Sequence, residues 1–263
     1  MSDFVGRESF LSTVFKYQPT RAIVLGSGMA STLDHMRCIC SVSWEEWPGI
    51  NARPGVSGHA GTLNLNIGEY GSFLVIKGRL HRYEGHAVGL TTKMATDLAI
   101  LGIRELVLTC ATGGILPEME PGALARIECL IDMTDAGAWR KWAWEFGAVG
   151  GEIIPSSPLA ESLSVGAARY GTSLGTTTLA QVVGPAYETK AEIQMLRSIG
   201  AGVVGMSSGH EWRAAVSVGI DTQIVAVVTN WACGICPEKI DHEAVVRESA
   251  RQAARMGAIL SAP

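Results

Sequence analysis

Charged residues, long apolar runs and repeats are all scarce in this 263-residue chain, and each absence excludes a class of protein. No run of about 18 apolar residues lacks a charge, so no membrane span is expected. The first ten residues contain no basic segment followed by an apolar stretch, so no signal peptide is expected either. A formal net charge of −4 provides no basic field for a nucleic-acid backbone, which argues against nucleic acid as a partner.

Cysteine is also sparse, because six in this length do not suggest a disulfide framework. We therefore expect reduced thiols in a cytoplasmic protein. No low-complexity tract or proline-rich linker divides the chain, so we predict one domain over residues 1–263. What the sequence has in quantity is apolar residues, at 47%, which is ample for a sizeable buried core.

Short apolar runs that lead into glycine-rich segments alternate with helix-like segments, which is typical of α/β proteins. Strands are predicted at 22–25, 73–76, 106–109, 175–183, 203–204 and 224–228. Helices are predicted at 91–101, after the capping box Thr189–Glu192, and after the N-cap Asp241. The apolar positions of the last helix are Val246, Ala250, Ala253, Met256 and Leu260. The predicted fold is an α/β structure of three layers, with a mixed, twisted central sheet flanked by helices.

The segment 135–157 breaks this pattern. It contains Trp139, Trp142 and Trp144, followed by several glycines. We predict a loop or short helix there that packs late or against another subunit.

In open α/β sheets, ligands bind beyond the carboxyl ends of the strands. Arg79 offers a planar fork of donors suited to phosphate oxygens, and His81 lies two residues away. Ser27 and Ser207 add hydroxyl groups in glycine-rich loops that permit close approach of the backbone. Each of these features alone is commonly surface polarity or a simple turn. GSGMAS at 26–31 also lacks the third glycine of a dinucleotide fingerprint.

Together the loops make the chain resemble the trimeric purine nucleoside phosphorylase family, which also includes the methylthioadenosine phosphorylases. The motifs that carry the resemblance keep the family's order and approximate spacing: GSGM, GHAG, GRLHRYEG, GPAYET with the following K-A-E, VGMS and TN. The resemblance covers nearly the whole chain and implies a nucleoside phosphorylase-like fold and a homotrimer. It implies phosphorolysis of 6-oxopurine nucleosides to free base and ribose 1-phosphate. Inorganic phosphate would be the co-substrate, with no cofactor and no metal.

The resemblance also implies roles for individual residues. It implies a phosphate site at Ser27, His59, Arg79, His81, Ala111 and Ser207. It implies sugar contacts at Tyr83, Met206 and His242, and a base site at Tyr187, Glu188, Thr229 and Asn230. Three of these have plain alternatives: a solvated loop residue for His59, a core methionine for Met206 and an exposed helix start for His242.

The base site is the most informative, and its catalytic residues would be Asn230 and Glu188, together with His81 at the phosphate. Glu188 matches the carboxylate that accepts from N1–H of a 6-oxopurine, and the positive end of the following helix is expected to favour its ionised form. Tyr187 replaces the commoner Phe and could stack on the purine. Asn230 matches the asparagine that bonds O6 and N7, where methylthioadenosine phosphorylases carry Asp, and Thr229 is expected to support it.

The chain departs from the family in three places. The family's MS-x-VPE becomes Met206–Glu211, which leaves His210 unaccounted for and expected to be structural or exposed. Thr112 stands where Ala is usual. The middle insertion is shortened, so that Phe146 or Trp144 is a candidate for the aromatic that covers the sugar of a neighbouring subunit in relatives.

Three alternatives stay open. The first is a methylthioadenosine-type phosphorylase, and the second is a nucleoside-binding homologue with lost or altered turnover. The third is a redox protein using the C-x-x-C pair Cys233 and Cys236, although redox motifs normally open a helix and Pro237 delays one here.

Overall fold

The computed structural model describes residues 4–50, 52–55, 59–134, 154–237 and 241–262. Within these ranges the strands are β1 (Arg21–Leu25), β2 (Arg37–Ser43), β3 (Thr62–Gly68), β4 (Gly71–Lys77), β5 (Glu105–Gly114), β6 (Leu124–Asp132), β7 (Gly175–Gln181), β8 (Val203–Gly205) and β9 (Asp221–Trp231). The α-helices are α1 (Arg7–Tyr17), α2 (Val88–Ile100), α3 (Pro158–Arg169), α4 (Lys190–Ser198), α5 (Gly209–Ser217) and α6 (His242–Leu260).

One mixed sheet contains all of these strands, in the order β2-β3-β4-β1-β5-β8-β7-β6-β9. Because β9 also pairs with β5, the last five strands of that order close into a ring. β1 runs parallel to β4 and β5, and β5 runs parallel to β9. The carboxyl ends of these four strands therefore lie at one edge, and the loops that follow them meet there.

Alternate residues of β1 show that helices cover both faces of the sheet. Ala22 and Val24 pack with the buried residues of α1, α2 and α5. Ile23 and Leu25 pack instead with the buried residues of α3 and α6. Since successive side chains of a strand point to opposite faces, the sheet is the middle of three layers, as predicted.

The predicted strands and helices are all present, with shifted ends. The largest shifts are in β5 and β9, which extend several residues beyond the apolar runs that predicted them. Asp241 caps α6 by accepting from the backbone N–H groups of Glu243 and Ala244. The predicted face of α6 is wrong at Ala250, which is exposed. The buried stripe passes one residue earlier, through Val245 and Ser249.

The tryptophans of the predicted loop at 135–157, with Trp144 and Phe146, lie outside the described residues. The described end of that segment leads into α3, where the Ser157 side chain accepts from the N–H of Ala160. None of the helices in the described ranges is long and apolar enough to cross a membrane.

Candidate active site

A cleft of about 710 Å³, including the space at its mouth, lies where the loops after β1, β4, β7 and β8 meet the carboxyl ends of β5 and β9. It brings together nearly all the residues that the sequence pointed to: Ser27, Arg79, His81, Tyr83, Ala111, Tyr187, Glu188, Met206, Ser207, Thr229, Asn230 and His242. His59 is not part of the cleft wall. It lies directly behind, where its Nε2 is 3.1 Å from Oγ of Ser27.

Arg79 dominates one end of the cleft. It is 2% exposed, and its Nη1 donates to the carbonyl oxygen of Thr109 at 2.7 Å and to Oγ of Ser207 at 3.3 Å. Its Nε lies 3.0 Å from Oε2 of Glu211, close enough for an ion pair but without the alignment of a hydrogen bond. Nη2 has no hydrogen-bond partner within the described ranges. A buried guanidinium with unused donors is suited to an anion.

The Glu211 carboxyl is buried beside this guanidinium. Burial raises the pKa of Glu211, although the charge of Arg79 acts in the opposite direction. Sequence reasoning did not assign Glu211 a role, and only its place in the Met206–Glu211 motif could have marked it.

Three aromatic rings form a column beside Arg79. The ring centroids of His59 and His81 are 5.2 Å apart, and those of His81 and Tyr83 are 4.7 Å apart, both stacked. Nδ1 of His59 lies 3.1 Å from both the backbone nitrogen and the carbonyl oxygen of Arg79, and the tautomer of the ring decides whether Nε2 donates to Ser27 or accepts from it. His59 therefore lies beside this end of the cleft, and it is buried rather than solvated.

Both histidines of the column are neutral at physiological pH. Burial, aided by the charge of Arg79, lowers the pKa of His59 to about 4 and that of His81 to about 3. Neutral rings keep an acceptor nitrogen, so an anion bound beside His81 can share a proton with it.

Glu84 is a site residue that sequence reasoning missed. Its Oε2 accepts from the backbone N–H of His81 at 2.6 Å and lies 3.3 Å from Nδ1 of the same residue. Its Oε1 accepts from the N–H of Gly55 at 2.5 Å, which ties the loop before β3 to the site. The signal was present, since Glu84 stands three residues after His81 in GRLHRYEG.

Tyr83 and Met206 line the cleft and pack closely on the backbone of Gly184. Gly184 has φ +76°, and a Cβ there would overlap Sδ of Met206 and lie 2.9 Å from Cδ1 of Tyr83. Burial raises the pKa of Tyr83 to about 12, so its hydroxyl stays protonated. His242, the first residue of α6, closes this part of the wall.

Glu188 and Asn230 line another part of the cleft, called here the Glu188 end, where Asn230 pairs with Gly113 of β5, four residues beyond the Thr109 that contacts Arg79. Thr189, the next residue after Glu188, caps α4 in a capping box with Glu192. Burial opposes the expected effect of the helix end on the ionisation of Glu188. Burial raises its pKa, and the nearby charge of Glu192 adds to the increase. The hydrogen bond from the backbone N–H of Glu188 acts in the opposite direction and lowers the pKa.

The carboxamide of Asn230 is held in one orientation. Oγ1 of Thr229 donates to its Oδ1 at 2.8 Å, and its Nδ2 donates to the carbonyl oxygen of Trp231 at 2.9 Å. One N–H and one lone pair remain for a ligand, so the group can serve a donor and an acceptor side by side. Tyr187, 41% exposed, lines the mouth near this end.

The departures from the motif pattern lie close to the cleft. Thr112 lines it, but its hydroxyl donates to the carbonyl oxygen of Val227 at 3.2 Å and so faces the sheet. His210 is 5% exposed, with Nε2 at 2.9 Å from Oγ1 of Thr134, so it belongs to the buried structure and not to the surface.

All six cysteines are unpaired thiols. Cys233 and Cys236 lie in a turn closed by the N–H of Ile235, which donates to the carbonyl oxygen of Ala232. The turn precedes α6 and opens no helix, unlike the usual redox arrangement. Among the described residues there is no group of three or more His, Cys, Asp or Glu side chains arranged to hold a metal ion.

Comparison with known proteins gives a consistent result. Residues 20–262 match the family described as the phosphorylase superfamily. The purine nucleoside phosphorylase of Mycobacterium tuberculosis is 34% identical over 243 residues, which is 91% of this chain and 87% of that protein. The probable 6-oxopurine nucleoside phosphorylase of Thermococcus kodakarensis is 31% identical over 208 residues, which is 73% of this chain and 76% of that protein.

A solved structure supports the fold. The schistosoma purine nucleoside phosphorylase in complex with hypoxanthine aligns with a TM-score of 0.76 at 24% identity. The alignment covers 96% of this chain and 94% of that one.

Proposed function

The chain belongs to the phosphorylase superfamily, and we propose that it is a purine nucleoside phosphorylase that cleaves 6-oxopurine nucleosides of the inosine and guanosine type. Inorganic phosphate displaces the purine and the products are the free base and ribose 1-phosphate. The observation that carries this proposal is the single cleft with Arg79 at one end and the fixed carboxamide of Asn230 at the other. We propose no cofactor and no metal.

Phosphate binds at the Arg79 end in this proposal. Arg79 supplies the charge, and Ser27 and Ser207 supply hydroxyl donors beside it. Ala111 contributes its backbone. His59 acts from behind the wall in the tautomer that carries its proton on Nε2, which donates to Ser27 and leaves the serine hydroxyl free to donate to a phosphate oxygen. Neutral His81 accepts a proton shared with phosphate.

The base binds at the Glu188 end. The carboxylate of Glu188 accepts from N1–H, and Tyr187 stacks on the purine. The N–H of Nδ2 that Trp231 leaves free on Asn230 is shared between N7 and O6 of the base, both of which accept. A methylthioadenosine-type phosphorylase, whose base carries a 6-amino group, is less suited to Asn at this position.

In the reaction, the bond from C1′ to the purine nitrogen breaks and a bond from C1′ to a phosphate oxygen forms. Positive charge develops on the sugar and is stabilised by the neighbouring phosphate. Negative charge develops on the leaving purine and is stabilised by the donor of Asn230 near N7. Tyr83 and Met206 hold the ribose between the two ends, and His242 approaches its 5′-hydroxyl.

We further propose a cytoplasmic homotrimer in which a neighbouring subunit completes the cover over the sugar. One domain over residues 1–263 remains our interpretation of the chain. Light scattering of the purified protein measures the oligomeric state, and a monomer with full turnover contradicts the shared site.

The test is incubation of the protein with inosine, with and without phosphate, followed by separation of the bases. Phosphate-dependent release of hypoxanthine and ribose 1-phosphate is expected. Release without phosphate would indicate a hydrolase. Tight inosine binding without any release would indicate a nucleoside-binding homologue. Faster cleavage of methylthioadenosine than of inosine would favour the methylthioadenosine alternative.

A further inference from the structure

The stretch Met206–Glu211, called here the Ser207 segment, separates two cavities. On one side lies the cleft already described. On the other lies a smaller cavity of about 270 Å³ bordered by residues that include Gln181 and His210. Met206 and Ser207 line both cavities. With open space on two sides, apolar packing alone holds this part of the chain poorly.

The backbone of the Ser207 segment also needs support. Ser208 has φ 80° and ψ −36°, a conformation that residues other than glycine rarely adopt. Where the family motif has Val-Pro after this position, the chain has Gly209-His210. Proline would fix one backbone angle, and this chain lacks that constraint. Contacts from elsewhere in the fold must therefore hold the segment in place.

Gln181 supplies the first contact. It is 3% exposed at the end of β7, and its Oε1 accepts from the backbone N–H of Gly209 at 2.5 Å. A Cβ at position 209 would lie 2.5 Å from the same oxygen, so only glycine admits this bond. Gln181 and Gly209 thus form a matched pair, with the glycine at the position where the family motif has valine.

His210 supplies the second contact. Its Nε2 lies 2.9 Å from Oγ1 of Thr134 and 3.6 Å from Oδ2 of Asp132. The Asp132 carboxylate also accepts from Arg213 and, at 3.0 Å, from the N–H of Thr134. Burial alone would raise the pKa of Asp132, but hydrogen bonds from His210 and Thr134 lower it below its usual range. Asp132 pairs with Gln181 across β6 and β7, so both contacts originate at one edge of the sheet.

We propose that Gln181 and His210 are positioning residues that hold the Ser207 segment in register with Arg79 and so set the affinity for phosphate. The proposal rests on the proposed function. Arg79 contacts Ser207 and Glu211, the two residues that bracket the supported positions. A shift of the segment therefore moves a phosphate donor and the carboxylate beside Arg79 together. Glu188 and Asn230 are not part of the segment and keep their geometry, and the supported positions, Gly209 and His210, lie at least three residues after Met206, the sugar contact within it.

The decisive variant is Gln181→Met, which removes the acceptor and keeps a long side chain. We expect the KM for phosphate to rise roughly three- to tenfold, the range for one buried hydrogen bond, with the KM for inosine and kcat within about twofold. Gln223→Met is the matched control. Gln223 is 1% exposed in the first half of β9, and its Nε2 donates at 3.2 Å to Pro155 and Ser157, away from the cleft. It should lose stability without changing the KM for phosphate.

A second pair of variants, at His210, provides an independent test in case Gln181→Met does not fold. His210→Gln keeps a donor near the position of Nε2 and should stay close to the unsubstituted protein, whereas His210→Phe should raise the KM for phosphate. Equal shifts in both KM values, or a phosphate KM that responds no more than in Gln223→Met, would overturn the proposal. Titration calorimetry with inorganic phosphate alone gives the same comparison without turnover. If the unsubstituted protein shows no phosphorolysis, the proposed function fails, while weaker phosphate binding in Gln181→Met still supports the positioning role.

Discussion

Oγ1 of Thr229 lies 2.8 Å from Oδ1 of Asn230 and so decides which way the carboxamide of Asn230 faces. The same hydroxyl is 3.2 Å from the carbonyl oxygen of Thr112, which anchors it to β5. With Nδ2 bonded to Trp231, rotation of the amide would break two hydrogen bonds at once. The residue proposed to recognise the purine is therefore oriented before any ligand arrives, which reduces the ordering that binding requires.

Thr229→Val tests that orientation. Valine keeps the shape but cannot donate to Oδ1, so the carboxamide is free to rotate. We expect kcat/KM for inosine to fall roughly two- to tenfold, the cost of one hydrogen bond, with little change in the KM for phosphate. Steady-state kinetics with each substrate varied in turn measures both. An unchanged kcat/KM would show that Thr229 does not control the orientation of Asn230.

Asn230→Asp tests the choice of base. The substitution exchanges a donor for a second acceptor, which suits a 6-amino group and not O6. The ratio of kcat/KM for adenosine to that for inosine should rise at least tenfold. Competition between the two nucleosides in one reaction measures the ratio directly. If the preference stays the same, the base does not bind at this end of the cleft.

Glu188→Ala removes the proposed acceptor for N1–H. A charge-assisted hydrogen bond of this kind corresponds to a loss of about 2–4 kcal/mol in transition-state stabilisation, or roughly 30- to 1000-fold in kcat/KM for inosine. Glu188→Gln retains the shape and serves as the comparison. Phosphate binding measured by calorimetry should be unaffected in both, and a matching loss of phosphate affinity would place Glu188 elsewhere in the mechanism.

The fall of kcat/KM on the acid side of its pH profile should reflect protonation of the Glu188 carboxylate. Burial raises its pKa, and base binding requires the carboxylate, so kcat/KM should fall as pH drops through a value above that of an ordinary glutamate. His59 and His81 titrate at about 4 and about 3 and do not contribute above pH 5. The limb should disappear in Glu188→Gln. If the acid limb persists in Glu188→Gln, it arises from the titration of another group.

Gly184→Ala probes the packing of Tyr83 and Met206, the two residues proposed to hold the ribose. The new Cβ would overlap Met206 and crowd Tyr83, so the KM for inosine should rise about tenfold or more while the KM for phosphate changes less. Gly219→Ala is the control, because Gly219 has a similar positive φ of +83° and nothing within 4 Å of an added Cβ. Both variants should lose stability in a thermal unfolding experiment, but only Gly184→Ala should lose nucleoside affinity.

Local sequence signals predicted much of the fold. The capping box at Thr189 and the N-cap Asp241 formed as expected, because both depend on residues within one helical turn. The buried strands were visible as apolar runs, although neither the closure of β9 onto β5 nor the full length of these strands was. Pairing between strands more than 100 residues apart leaves no local pattern.

The sequence by itself determined which loops hold the site and which chemical groups they offer, since a motif fixes the identity and order of its side chains. Only the tertiary structure decided the burial, the pKa and the hydrogen-bond partners of those groups. Glu188 lies before a helix that should favour its charge, yet burial raises its pKa. His210, which local reasoning could leave on the surface, is buried against Thr134 from another strand. Desolvation and hydrogen bonds between distant segments arise only when the chain folds. They therefore determine the pKa of Glu188 and the burial of His210, which neighbouring residues in the sequence do not predict.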